Sequence, residues 1–134
     1  MAGYSGKRLV QKLGIKDGWT IAIFNPPTGY ERILGKLPKD VTRRSSATGL
    51  LDFIQFFTRE KGTLEREFAK LTRALTPAGM LWISWPKKSS GVATDLTEDV
   101  IRSVGLAHGL VDVKVAAVDD VWSGLKFVRR VKDR

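Results

Sequence analysis

The segment Trp19–Gly29, WTIAIFNPPTG, constrains this chain more than any other. It reads as a buried strand running into a turn and then a helix. The strand, about Trp19–Phe24, is apolar on both faces, as a central parallel strand between two helical layers must be. In an open α/β sheet the first strand-to-helix turn usually faces a phosphate or a nucleoside. It is then glycine-rich, so that backbone N–H groups can approach the ligand. Here the turn is Asn25-Pro26-Pro27. Two prolines remove two donors and fix two φ angles. The frame points to a nucleotide-type α/β fold, and the turn argues against the usual chemistry.

The rest of the chain continues the alternation. A helix capped by Ser5 runs to Leu13 and stops at Gly14, with Leu9, Val10 and Leu13 as its buried edge. Gly29–Leu34 is a short helix, and Val41–Arg43 a brief edge strand. Arg44-Ser45-Ser46-Ala47-Thr48-Gly49 reads as a loop. Leu50–Phe57 is a strand, followed by a helix to Leu75. Its Leu64, Phe68, Leu71 and Leu75 form one apolar stripe. Thr76-Pro77-Ala78-Gly79 breaks that helix, and Met80–Trp85 is another buried strand. Asp95-Leu96-Thr97-Glu98 resembles a capping box with Asp95 as the cap of a helix to Ala107. Leu96, Val100, Ile101 and Val104 form its core face. Leu110–Val118 and Ser123–Val131 are strands joined by Asp119-Asp120-Val121-Trp122, a length that implies an antiparallel pair. Alternating strands and helices predict a mostly parallel sheet between helical layers, with a C-terminal antiparallel hairpin at its edge.

At 134 residues the chain is one domain, residues 1–134, with enough mass for a core. Cysteine is absent and His108 is the single histidine, which excludes disulfides, thiolate chemistry and histidine-based metal sites. No apolar run approaches the length that spans a bilayer. No secretory signal is visible, so a cytoplasmic protein that does not engage membranes is the expectation. The net charge of +9 permits a polyanionic partner such as nucleic acid. The basic residues are dispersed, however, with Arg43-Arg44, Lys87-Lys88 and the tail from Arg129 to Arg134 the densest.

Ligands of open α/β sheets bind beyond the carboxyl ends of the strands. Three loops should meet there: Asn25–Thr28, Pro86–Thr94 and Asp119–Trp122. This groups Asn25, Trp85, Lys87, Lys88, Ser89, Ser90, Thr94, Asp95, Asp119, Asp120 and Trp122. Lys87, Lys88, Ser89, Ser90 and the following helix N-terminus suit a phosphate or carboxylate. Trp85 or Trp122 suits stacking on a ring. Each residue also has a structural reading. Lys87 and Lys88 can pair with Asp119 and Asp120, Asp95 can be no more than a cap, and both tryptophans can be packing. A base for catalysis would have to be a carboxylate such as Asp119, Asp120 or Asp112, or a lysine of lowered pKa. His108 precedes Gly109 at a helix end and reads as structural. Asp112 and Lys114, two apart in a strand, are expected on one face.

The element order resembles class I S-adenosylmethionine-dependent methyltransferases, which end in such a hairpin. Leu75-Thr76-Pro77-Ala78-Gly79-Met80-Leu81 is similar to their L-K-P-G-G-x-L turn, and Leu13-Gly14-Ile15-Lys16-Asp17-Gly18 to the approach to their first strand. The likeness spans about residues 13–131 and omits one strand–helix unit. A closer resemblance is to a small bacterial family of unknown function that looks like a reduced relative of that fold. It rests on Gly3-Tyr4-Ser5-Gly6, Trp85–Gly91, Thr94–Asp99, Gly109–Val115 and Trp122–Lys126. The resemblance implies a three-layer, Rossmann-like α/β sandwich.

Laid on the methyltransferase cofactor motif, the acid position is Ile23 and the first two glycine positions are Asn25 and Pro27. Only Gly29 is kept. The region that should supply a ribose-binding acid is Val41-Thr42-Arg43-Arg44, and arginine can only donate. Asn25-Pro26-Pro27 also resembles the Asn-Pro-Pro-Tyr motif of amino-methyltransferases. Thr28 stands at its aromatic position, and the motif follows the first strand rather than the fourth. A rigid turn is the simpler reading.

The sequence thus leads to a non-catalytic binding or regulatory domain that holds an anionic ligand at the carboxyl edge. No metal or cofactor is expected, and S-adenosylmethionine is disfavoured. A divergent methyltransferase and a nucleic-acid accessory protein are the alternatives. A protein partner would need an exposed apolar patch.

Overall fold

The computed structural model describes residues 7–134, so the expected Ser5 cap and the Gly3–Gly6 segment lie outside the described residues. The elements are α1 (Leu9–Leu13), β1 (Thr20–Phe24), α2 (Tyr30–Leu34), β2 (Thr42–Arg44) and β3 (Leu51–Phe57). They continue with α3 (Lys61–Arg73), β4 (Leu75–Pro86), α4 (Glu98–Ala107), β5 (Leu110–Ala117) and β6 (Trp122–Arg129). One sheet carries six strands in the order β2-β1-β3-β4-β6-β5. The first four are mutually parallel, and β6 runs antiparallel to both β4 and β5.

Side-chain alternation along the strands divides the core in two. Ile21 and Ile23 face α1 and α2, with Leu13, Tyr30, Leu34, Phe53, Phe57 and Trp82 around them. Ala22 faces α3 and α4, with Ile54, Phe56, Leu64, Phe68, Leu81, Ile101 and Phe127. The expected three-layer α/β sandwich with its antiparallel hairpin is the observed architecture. Among the described residues no helix is long and apolar enough to cross a membrane.

Three local expectations need correction. Helix α3 ends at Arg73, and Thr76-Pro77-Ala78-Gly79 lies inside β4 rather than between elements. The register steps from Leu51↔Leu75 to Phe53↔Met80, so β4 bulges by three residues. The bulge is held from both sides. Asp52 accepts the Thr76 hydroxyl at 3.4 Å and the Thr20 N–H at 2.9 Å. Arg129 donates to the carbonyls of Thr72, Leu75 and Thr76 at 2.6, 3.3 and 2.8 Å, satisfying acceptors at the helix end. Gly79 is required here, because a Cβ would lie 2.9 Å from the Leu51 carbonyl oxygen.

The second correction is Asp95, which does not cap the helix that follows it. That role belongs to Thr97, whose hydroxyl accepts the Val100 N–H at 3.2 Å, with Glu98 and Asp99 in the first turn. Asp95 instead accepts the Lys61 N–H at 2.8 Å and so serves the start of α3. The stretch before α4 crosses the β3–α3 turn, where the Thr94 hydroxyl also donates to the Arg59 carbonyl at 2.6 Å.

The third is Asp112 and Lys114, which do not share a face. The register shifts between them, from Asp112↔Phe127 to Lys114↔Lys126. Asp112 accepts from Arg102 of α4 at 2.9 Å, whereas Lys114 donates to the Lys12 carbonyl of α1 at 3.0 Å. One inserted residue, Val113, reverses the alternation.

Candidate functional site at the carboxyl edge

Strand β1 lies between β2 and β3, so the chain leaves it in one direction and returns on its other side. The boundary between β1 and β3 is the switch point at which such sheets open a crevice. A cavity of about 240 Å³ lies there. Its floor is apolar: Phe24 ends β1, Phe56 lies in β3 and Leu71 in α3. Its polar lining is Asn25, Ser45, Ser46, Glu67 and Lys70. Glu67 and Lys70 take part in none of the ion pairs among the described residues. The cavity therefore presents one ammonium, one carboxylate, two hydroxyls and a carboxamide above an apolar base.

The first turn is shaped by its own bonds. Asn25 adopts the left-handed region at φ +56°, which costs a non-glycine residue energy but is best tolerated by Asn. Its carboxamide reaches the Phe57 carbonyl at 3.4 Å. The Tyr30 N–H bonds the Pro27 carbonyl at 3.0 Å. With Pro26 and Pro27 lacking donors, the turn offers no row of free N–H groups.

A buried polar chain runs beneath the turn. The Tyr30 hydroxyl donates to Gln55 Oε1 at 2.5 Å, and Gln55 Nε2 donates to Ser84 Oγ at 3.1 Å. Gln55 and Ser84 are fully buried. Burial raises the Tyr30 pKa further above its ordinary value, so the phenol stays protonated. In the middle of β2, Arg43 pairs with Glu31 of α2 at 2.5 and 2.9 Å. Hydrogen bonding to Arg43 holds the Glu31 carboxyl below its usual range.

The sequence-derived residues fall into separate places. Asn25 lines the cavity. Trp85 is buried in the core on the α3–α4 side, while half-buried Trp122 packs on the other side against Phe57, ring centres 5.2 Å apart. The two tryptophans therefore cannot grip the same ring. Lys87, Lys88, Ser89 and Ser90 form a loop with a single 3₁₀ turn, bound to the hairpin by Lys87 N–H to Val121 carbonyl at 2.8 Å. Neither lysine forms an ion pair among the described residues. Asp119 does not pair with them, because its Oδ1 accepts the N–H groups of Val121 and Trp122 at 2.8 and 2.7 Å. Asp120 is exposed beside it. The Ser90 hydroxyl donates to the Lys87 carbonyl at 2.7 Å, and Ser89 is exposed. Thr94 and Asp95 are engaged with the β3–α3 turn. His108 Nδ1 lies 2.9 Å from the Val104 carbonyl and its ring rests on Phe68.

Sequence reasoning missed Ser45, Ser46, Glu67 and Lys70. The first two stand directly after β2, beside the switch point, and that position was the available signal. Glu67 and Lys70 carried none, since a helix with charged residues on one flank is the ordinary pattern. Among the described residues no group of His, Asp and Glu is arranged to hold a metal.

No protein-family model matches the chain, and no curated protein matches it in sequence. Solved structures do match. A S-adenosylmethionine-dependent methyltransferase from Aquifex aeolicus is 14% identical with a TM-score of 0.63, covering 93% of this chain and 89% of its own. Magnesium protoporphyrin IX methyltransferase from Synechocystis PCC 6803, solved with bound S-adenosylmethionine, is 12% identical with a TM-score of 0.57. That match covers 91% of this chain and 74% of the other. Strand order, hairpin and these likenesses agree: the chain has the class I S-adenosylmethionine-dependent methyltransferase fold.

Proposed function

We propose that the chain is a non-catalytic binding domain that holds a small anionic ligand in the switch-point cavity. The observation that carries this reading is the Lys70 ammonium, in no ion pair among the described residues, which lines the cavity together with two hydroxyls and the Asn25 carboxamide beside a closed first turn. Lys70 supplies the countercharge, and Ser45, Ser46 and Asn25 supply hydrogen bonds. Phe24, Phe56 and Leu71 form an apolar base beneath them.

The residues do not suit S-adenosylmethionine. The motif acid is replaced by buried Ile23, the turn lacks its N–H cradle, and Arg43 of β2 is already paired with Glu31. Size argues the same way. Pockets for drug-sized ligands hold about 300–1,000 Å³, and this one holds about 240 Å³. Of the carboxylate bases the sequence offers, Asp112 is held by Arg102 and Asp119 by the Val121 and Trp122 N–H groups.

A second reading, a divergent methyltransferase, is favoured by Glu67. Its carboxylate lines the cavity and can accept two hydroxyl hydrogen bonds, as a ribose would require.

The test is backbone-amide NMR during titration with inorganic phosphate and, separately, acetate. The expected result is saturable shifts centred on Asn25, Ser45, Ser46 and Lys70, abolished by Lys70→Ala. Shifts centred on Lys87–Gly91, or none at all, overturn the proposal.

A further inference from the structure

Three lysines on the other side of the sheet are placed against ordinary design. Lys114 of β5 and Lys126 of β6 stand directly opposite each other in the hairpin register. Opposed residues of an antiparallel pair project from the same face, and like charges so placed are destabilising. That face is the one covered by α1, because Lys114 donates to the Lys12 carbonyl and Lys126 is paired with Trp82, whose indole N–H donates to the Leu13 carbonyl at 3.0 Å. Lys16 follows the end of α1 and stands over the Trp19 ring at 6.0 Å.

None of the three lysines forms an ion pair among the described residues. Lys126 is half-buried, and burial lowers its pKa, with the charges of Lys114 and then Lys16 adding to the effect. The acids next to Lys114 and Lys16 in sequence are committed elsewhere. Asp112 is turned to α4 by the bulge and held by Arg102, and Asp17 accepts the Lys39 N–H at 3.1 Å. The fold thus gathers three lysines on the α1 side of the β5–β6 hairpin, and none of them has a carboxylate partner among the described residues.

We propose that this lysine-bearing face is a binding surface for the phosphodiester backbone of single-stranded nucleic acid. The chemistry is that of spaced anions. Neighbouring ammonium groups attract backbone phosphates, and binding releases the phosphates' counter-ions. The excess of basic residues over the whole chain, 23 against 14 acidic, adds long-range attraction. This surface is separate from the switch-point cavity, and neither proposal depends on the other.

The probe is a fluorescein-labelled oligouridine of about 20 nucleotides, titrated by anisotropy over a salt series. The wild-type chain should bind at low salt, with affinity falling steeply as salt rises. Replacing Lys16, Lys114 and Lys126 together by Ala should lower the slope of log affinity against log salt by about 2, from about 0.7 per phosphate contact. A charge-matched control removes Arg66, Arg73 and Lys132, which are exposed elsewhere. It should keep nearly the full slope. No binding at low salt, or equal losses in the two triple variants, overturns the proposal. A folding check is built in: Lys126→Met removes the opposed charge and should raise the melting temperature while weakening binding. A variant that melts lower, or that binds unchanged, contradicts the account.

Discussion

The Tyr30 hydroxyl donates to Gln55 Oε1 at 2.5 Å, joining α2 to the middle of the sheet beneath the first turn. Gln55 in turn donates to Ser84, so three polar side chains satisfy one another in a buried layer. Removing one member leaves a buried acceptor without a partner, which costs about 1–3 kcal/mol. Tyr30→Phe should therefore lower stability by that amount in urea unfolding, although it deletes only one oxygen. A change below a few tenths of a kcal/mol would show that water reaches Gln55.

Gly105 of α4 is buried against Phe127. A Cβ there would lie 2.1 Å from the Phe127 ring. Two effects oppose each other in Gly105→Ala. Helix propensity favours Ala by about 1 kcal/mol, and overpacking costs about 1–3 kcal/mol. Net destabilisation is expected, because the ring is fully buried and packs edge-on against Phe68, ring centres 5.7 Å apart. A more stable variant would mean that α4 can shift outward at little cost.

Asp95 and Thr97 cap different helices. Asp95→Ala should cost about 1 kcal/mol and expose the first turn of α3 to hydrogen exchange, the Lys61 amide first. Thr97→Ala should cost a similar amount and expose the Val100 amide instead. If both variants loosen the same helix, the assignment of caps is wrong.

Arg102 donates to Asp112, Asp99 and Glu98 at 2.9, 2.8 and 2.5 Å. Its hydrogen bond lowers the Asp112 pKa in the folded chain. A carboxyl so depressed contributes its stability in full above its unfolded pKa of about 3.9, and loses it as pH falls through the lower folded value. Asp112→Asn should therefore flatten the loss of stability below about pH 4. Unfolding curves of the two proteins that stay parallel down to pH 2 would contradict this linkage.

The sheet was legible because its signals are local. Trp19–Phe24, Leu50–Phe57 and Met80–Trp85 are apolar runs of strand length, and the stripe Leu64, Phe68, Leu71 marks a helix by its period. The misread places depend on contacts distant in sequence. Thr76–Gly79 has turn chemistry, yet Asp52 and Arg129 hold it in β4. Asp95 is a capping residue in type, but the fold carries it to a helix that begins before it. Val113 gives no sign in sequence of the bulge that separates Asp112 from Lys114. The expected edge site was partly legible for the same reason. Strand ends and loops could be placed at the carboxyl edge, which located Asn25. Which side of the sheet Trp85 and Trp122 occupy, and which charges α3 brings to the cavity, depend on tertiary packing.

The proposed anion-binding role takes the first turn of this methyltransferase-type fold to be unsuited to S-adenosylmethionine. Calorimetric titration of the folded protein with S-adenosylmethionine and S-adenosylhomocysteine at low salt tests this most directly. The account predicts no saturable heat from either, at protein concentrations that would detect micromolar affinity. Saturable binding of one of them, lost in Glu67→Gln, would contradict it and make the switch-point cavity the site of a divergent methyltransferase.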